Sequence, residues 1–188
     1  MRYLQTLLFS LVLIPLAFGQ APAVKVCDRS KPVCVALEKK LKKKCAEITA
    51  ADLASITELV LPHIHIKSFK DDDFAGLTKL KKLEFASLLH NQGRPKDPIA
   101  INGKVFAHLP NLEQLIMDEE LGLLPDDVFA GLTSLKVLDI SGSTLSRLPK
   151  SLLTLPRIEA VHYGGDGMSK EDFATLKKVL GAKLKNTQ

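Results

Sequence analysis

The sequence predicts an α/β solenoid: a short stack of similar turns, with a parallel sheet on its concave face and helical caps at both ends. Three observations carry this. One apolar pattern recurs along the middle of the chain, its unit is too short to fold alone, and a helix-like apolar stripe stands on either side of it. The composition agrees. The 188 residues are 46% hydrophobic and 25% charged, unlike a disordered chain. Aromatics make up 5% with no Trp, so Leu, Ile and Val must fill the interior.

Residues 1–19 stand apart from the fold. Arg2 supplies a positive charge, Leu7 to Phe18 is apolar except for Ser10 and Pro15, and Ala17 and Gly19 sit where a cut before Gln20 needs small residues. This is the layout of a secretory signal peptide. A membrane anchor needs roughly 20 apolar residues, and Pro15 breaks this run early. Val24-Lys25-Val26-Cys27 is a poor lipobox. The expectation is a secreted or periplasmic protein with no membrane span. The absence of an Asn-x-Ser/Thr sequon after the cut favours a bacterial source. A formal charge of +5 is too mild to argue for nucleic acid.

Residues 20–52 read as the amino-terminal cap. Pro32 suits the first turn of a helix, and Cys34, Leu37 and Leu41 fall on one stripe. Lys39, Lys40, Lys42, Lys43 and Lys44 take much of the remaining surface. The three cysteines Cys27, Cys34 and Cys45 imply one bridge and one free thiol, with three pairings open.

The repeats occupy residues 53–168. Leu53-x-x-Ile56-x-x-Leu59-x-Leu61 returns as Leu77-x-x-Leu80-x-x-Leu83-x-Phe85, and then as Leu109-x-x-Leu112-x-x-Leu115-x-Met117. Leu132-x-x-Leu135-x-x-Leu138-x-Ile140 and a weaker Leu155-x-x-Ile158-x-x-Val161-x-Tyr163 complete about five copies. Their spacings are 24, 32, 23 and 23 residues. The x-Leu-x-Leu part alternates with period two, as a half-buried strand does. Phe74-Ala75-Gly76-Leu77-Thr78 and Phe129-Ala130-Gly131-Leu132-Thr133 are near duplicates, with Phe106-Ala107-His108-Leu109 a variant. Each places a Phe to plug the interior of the returning segment.

On these offsets the chain resembles the leucine-rich repeat family, in its typical class of about 24 residues. The resemblance implies a curved solenoid and a role in recognising another protein. One departure stands out. The family usually carries Asn three places after the second strand leucine, and here those positions are Ile64, Leu88, Glu120, Ser143 and Asp166. The preferred cysteine pairing is Cys27 with Cys45, which would close the cap as a loop and leave Cys34 a buried thiol. That placement resembles the cysteine-flanked caps of exported members, without their usual four-cysteine pattern.

The 32-residue spacing holds an insertion at 90–98, His90-Asn91-Gln92-Gly93-Arg94-Pro95-Lys96-Asp97-Pro98, polar and unable to form a strand. Its His90, Arg94 and Lys96 are loop candidates for contact with a partner, since projecting loops often carry function. Residues 169–188 read as the second cap. Ser169 and Asp172 start a helix in the manner of a capping box, and Phe173, Leu176, Val179, Leu180 and Leu184 give it an apolar face before a frayed tail after Lys185.

Chemistry is sparse. His63-x-His65 lacks a third metal ligand in sequence, and Asp71-Asp72-Asp73 lacks the spaced oxygens and turn glycine of a calcium loop. Capping a short convex helix before Phe74 explains the acidic run more simply. Gly164-Gly165-Asp166-Gly167 lacks the Lys-Ser/Thr of a phosphate loop, and Cys34 has no base beside it in any motif. No residue is assigned to catalysis, to a metal or to a cofactor.

The alternation instead nominates an exposed inner face. Its candidates are Glu58, Val60, Lys82, Glu84, Gln114, Ile116, Asp118, Asp139 and His162. Four carboxylates against one Lys and one His make a mildly acidic surface that would steer cationic partners. Five strands about 4.8 Å apart span roughly 24 Å, which gives a flat face on the order of 300 Å². A standard interface buries about 800 Å² per partner, so the insertion or a sheet edge must contribute. The expectation is an exported, non-catalytic protein that recognises another protein. The alternative is a structural or assembly component of the periplasm or cell envelope.

Overall fold

The computed structural model describes residues 25–62, 68–85, 100–117, 121–143, 145–164 and 167–186. Residues 1–19, expected to be a leader, and the insertion at 90–98 lie outside them. The strands are β1 (Glu58–Leu61), β2 (Lys82–Phe85), β3 (Gln114–Met117), β4 (Val137–Ile140), β5 (Ala160–Tyr163) and β6 (Leu184–Asn186), in one sheet ordered as in the sequence. Every pairing is parallel. Leu59, Leu83, Leu115, Leu138, Val161 and Leu184 fall into one register row.

The period-two pattern explains that row. In β2, β4 and β5 half-buried and buried residues alternate, so each strand turns Leu, Ile, Val or an aromatic inward and a different residue outward. Leu80, Leu112 and Leu135 are fully buried beneath the sheet, where successive turns meet. One turn cannot cover its own leucines, and its neighbours complete the core. On the returning side, phenylalanines stack from turn to turn. The Phe74–Phe106 centroids are 6.1 Å apart and the Phe106–Phe129 centroids 6.5 Å apart, with near-parallel rings. The returning segments are chiefly turns. The stretch before Phe74 is a turn and not the short helix expected from the sequence, and among the described residues only Lys150–Thr154 winds into a 3-10 helix on this side.

At the amino-terminal end, α1 (Lys31–Leu41) packs against β1. Its inward stripe is Val33, Ala36 and Leu37. The expected stripe of Cys34, Leu37 and Leu41 is rotated by about one residue, which leaves Cys34 and Leu41 half-buried. Cys34 is therefore not the buried thiol expected; its Sγ lies 3.2 Å from the Val26 carbonyl oxygen, to which it donates. The Cys27 and Cys45 sulfurs stand at disulfide distance, 2.13 Å, on either side of α1. A second helix, α2 (Ala50–Ser55), opens the first repeat. Thr49 and Asp52 cap it reciprocally, with the Asp52 amide donating to Thr49 Oγ1 at 3.2 Å and the Thr49 amide to Asp52 Oδ2 at 2.9 Å.

The carboxyl end differs most from the sequence reading. Helix α3 (Lys170–Leu180) buries Leu176 and Leu180, while Val179 is 50% exposed and not part of the inward face. Gly181, at φ 52°, stops the helix. Leu184, expected on the apolar face of the cap helix, instead lies in β6 and pairs with Val161, so the segment after Gly181 supplies a sixth strand. Ser169 caps α3 by accepting from the Asp172 amide at 3.0 Å. The Asp172 carboxylate accepts from the Leu148 amide at 3.4 Å.

Candidate functional site: the inner sheet face

Alternation along each strand leaves two rows of side chains pointing away from the core. Register places Glu58, Lys82, Gln114, Val137 and Ala160 in one row. The other holds Val60, Glu84, Ile116, Asp139, His162 and Lys185. The structure thus brings together eight of the nine candidate face residues. Asp118 lies outside the described residues, as do the loop candidates His90, Arg94 and Lys96.

The electrostatics are milder than the sequence implied. Lys82 Nζ and Glu84 Oε2 pair at 2.8 Å along one strand, and Glu84's hydrogen bond holds the ammonium above its ordinary pKa. Asp139 Oδ1 accepts from the Ser141 amide at 3.0 Å and the Ser141 hydroxyl at 2.6 Å. Lys185, which the sequence reading left at the end of the cap helix, adds a cation beside His162. Among the described residues the face carries Glu58, Glu84 and Asp139 against Lys82 and Lys185, which is close to balance. Lys185 of β6, which was not foreseen, offsets one charge of the acidic excess expected from the sequence, and Asp118, part of that excess, lies outside the described residues. What distinguishes this row is apolar: Val60, on the edge strand β1, is 50% exposed, and Ile116, near the middle of the sheet, is half-buried between Glu84 and Asp139.

Other candidates are absorbed by the scaffold. Arg29 is buried, and its terminal nitrogens donate to the Asp73 and Ala75 carbonyls. The Asp73 carboxylate accepts from the Ser30 amide at 2.7 Å and the Lys70 amide at 2.9 Å. The acidic run thus stitches the cap to the next turn. No motif signals Arg29; its place follows only from the tertiary packing. Burial pushes the Cys34 thiol pKa up, away from the reactive thiolate. His63 and His65 lie outside the described residues. Among those described, no cluster of three or more His, Cys, Asp or Glu is placed to hold a metal ion, and no helix is long and apolar enough to cross a membrane. Of the five positions where the related pattern has Asn, Ser143 alone is described. It is buried and turns the chain itself, its amide and hydroxyl both donating to the Ile140 carbonyl, at 3.2 and 2.8 Å.

No family model matches the chain, and no curated protein matches it. Solved structures do. A leucine-rich repeat protein of Leptospira interrogans superposes with a TM-score of 0.57 at 23% identity over 76% of this chain and 34% of that one. A structure of a TLR13–ssRNA13 complex superposes with a TM-score of 0.50 at 25% identity over 64% of this chain and 16% of that one. The chain spans about a third and a sixth of their respective lengths. The likeness is one of fold: the sheet and its stacked turns form a leucine-rich repeat solenoid.

Proposed function

We propose that the protein is an exported, non-catalytic recognition module that binds another protein across its inner sheet face. The observation that carries the reading is the second outward row, where exposed Val60 and half-buried Ile116 sit among charges in register over six strands. An apolar side chain flanked by charged ones, as Ile116 is by Glu84 and Asp139, is the pattern of an interface centre. The charged groups beside them are tied into pairs and turns, so they orient a partner and do not act on a substrate. Among the described residues the two outward rows carry no Phe, Tyr or Trp, the rings on which unpaired bases stack, which favours a protein over a nucleic acid such as that in the TLR13 complex. Six strands span roughly 29 Å, still small for a standard interface, so the insertion at 90–98 supplies further contact.

Export is supported by the leader-like residues 1–19 and by Cys27 and Cys45 standing at bonding distance, as an oxidising compartment allows. On this reading residues 20–52 and 169–188 close the two ends of a repeat body at 53–168. The test is crosslinked capture of partners from the native exported fraction by the full chain, by Val60→Lys/Ile116→Lys, and by Leu123→Lys, whose residue is 66% exposed and outside the sheet. The double variant is expected to lose the captured species and the Leu123 variant to keep it. Equal capture by all three would overturn the proposal.

A further inference from the structure

A second surface lies beside the strands, just before each begins. Thr57, Lys81, Glu113, Lys136 and Glu159 continue the ladder one turn after another, with amide-to-carbonyl distances of 2.8, 2.8, 2.9 and 2.8 Å. Glu113 bridges two of them, 3.2 Å from Lys81 Nζ and 2.8 Å from Lys136 Nζ. Two residues earlier in each turn stand Lys79, Asn111, Ser134 and Arg157. All of these but Glu159, together with Thr78, line a groove of about 350 Å³.

The groove is cationic. Lys79, Lys81, Lys136 and Arg157 line it against one carboxylate, Glu113, which is already shared between two lysines; exposed Glu159 flanks Lys136. Among the described residues neither Lys79 nor Arg157 has an ion-pair partner. These two close the ends of the outer row, three strand spacings or about 14 Å apart. Neutral Asn111 and Ser134 lie between them. Among the described residues no aromatic side chain lines the groove, so it lacks the rings on which bases stack.

We infer that this groove is a binding site for an extended acidic peptide with carboxylates at alternate positions. An extended chain rises about 3.3 Å per residue, so the first and fifth residues of a Glu-x-Glu-x-Glu segment lie about 13 Å apart on one face. Their carboxylates reach Lys79 and Arg157, the middle one meets the Asn111 amide and the Ser134 hydroxyl, and Lys81 and Lys136 face the segment from the inner row. The site is separate from the inner sheet face and stands whether or not that face binds a partner.

The test is fluorescence anisotropy with labelled Glu-Ser-Glu-Ser-Glu on the full chain. Binding is expected in about 20 mM salt and is weakened by about 200 mM, as screening requires. Lys79→Ser/Arg157→Ser is expected to weaken it by about tenfold or more. Lys39→Ser/Lys40→Ser, which removes two exposed cations from α1, and Ile116→Lys on the inner face are expected to leave it within about twofold. An equal loss from the α1 variant would reduce the effect to net charge and overturn the inference. So would no binding, or tighter groove-dependent binding of an oligothymidylate of similar length.

Discussion

Gly131 shows how closely successive turns approach. A Cβ built there would stand 2.9 Å from the Ala107 Cα and 3.3 Å from the Phe106 carbonyl oxygen, both backbone atoms of the preceding turn. Neither can swing aside as a flexible side chain would. Gly131→Ala is therefore expected to destabilise the fold by ~1–3 kcal/mol, read as a lower denaturant midpoint at unchanged slope. An unchanged midpoint would mean that the turns are not packed this tightly. The Phe-Ala-Gly-Leu-Thr duplicates made the glycine visible in the sequence, but its neighbour one turn away was not. Arg29 is the opposite case. Nothing local marks it, because its partners Asp73 and Ala75 are more than 40 residues distant and the contact exists only once the cap has docked. A buried charge of this kind is costly to leave unpaired, so the cap and the first turns hold each other in place.

Elements were legible where periodicity is long and endings are marked. The five repeat strands follow from alternation, and α1 from its stripe, although its face turned by one residue. β6 was missed because three residues carry too little pattern to separate a strand from a helix continuing past Leu180. Gly181 was the available signal, since a glycine beyond a helix's last apolar residue commonly ends it. α2 shows what a cap contributes. Asp52 accepts from Lys43 Nζ at 2.8 Å, the Thr49 amide at 2.9 Å and the Thr49 hydroxyl at 2.8 Å. Led by the Lys43 hydrogen bond, these hold its carboxyl at about 2, down from 3.8. A pKa depressed on folding stabilises the protein above the unfolded value, and that contribution is lost as pH falls through the folded one. Between about pH 4 and pH 2 the Tm of the wild type is thus expected to fall faster than that of Asp52→Asn, measured by calorimetry. Parallel curves would show that the carboxylate gains nothing from its partners.

At the scale of the molecule, one interior serves six strands, and the outward rows exist because the inward ones are apolar. The inner face was legible residue by residue because alternation alone decides which side chains face out. Its charge balance was not, since Lys185 joined it only through β6. The flank groove escaped the sequence reading for a related reason: Lys79 and Arg157 lie 78 residues apart and meet only through stacking. Both surfaces therefore depend on the turns acting as a single body. Native-state hydrogen exchange on the wild type and Phe106→Ala tests this most directly, because Phe106 stacks on both Phe74 and Phe129. The amides of Leu83, Leu115 and Leu138 are expected to exchange through one shared opening, which the substitution lowers for all three by the same ~3–5 kcal/mol. A loss confined to Leu115, with Leu83 and Leu138 still protected, would contradict a continuous core.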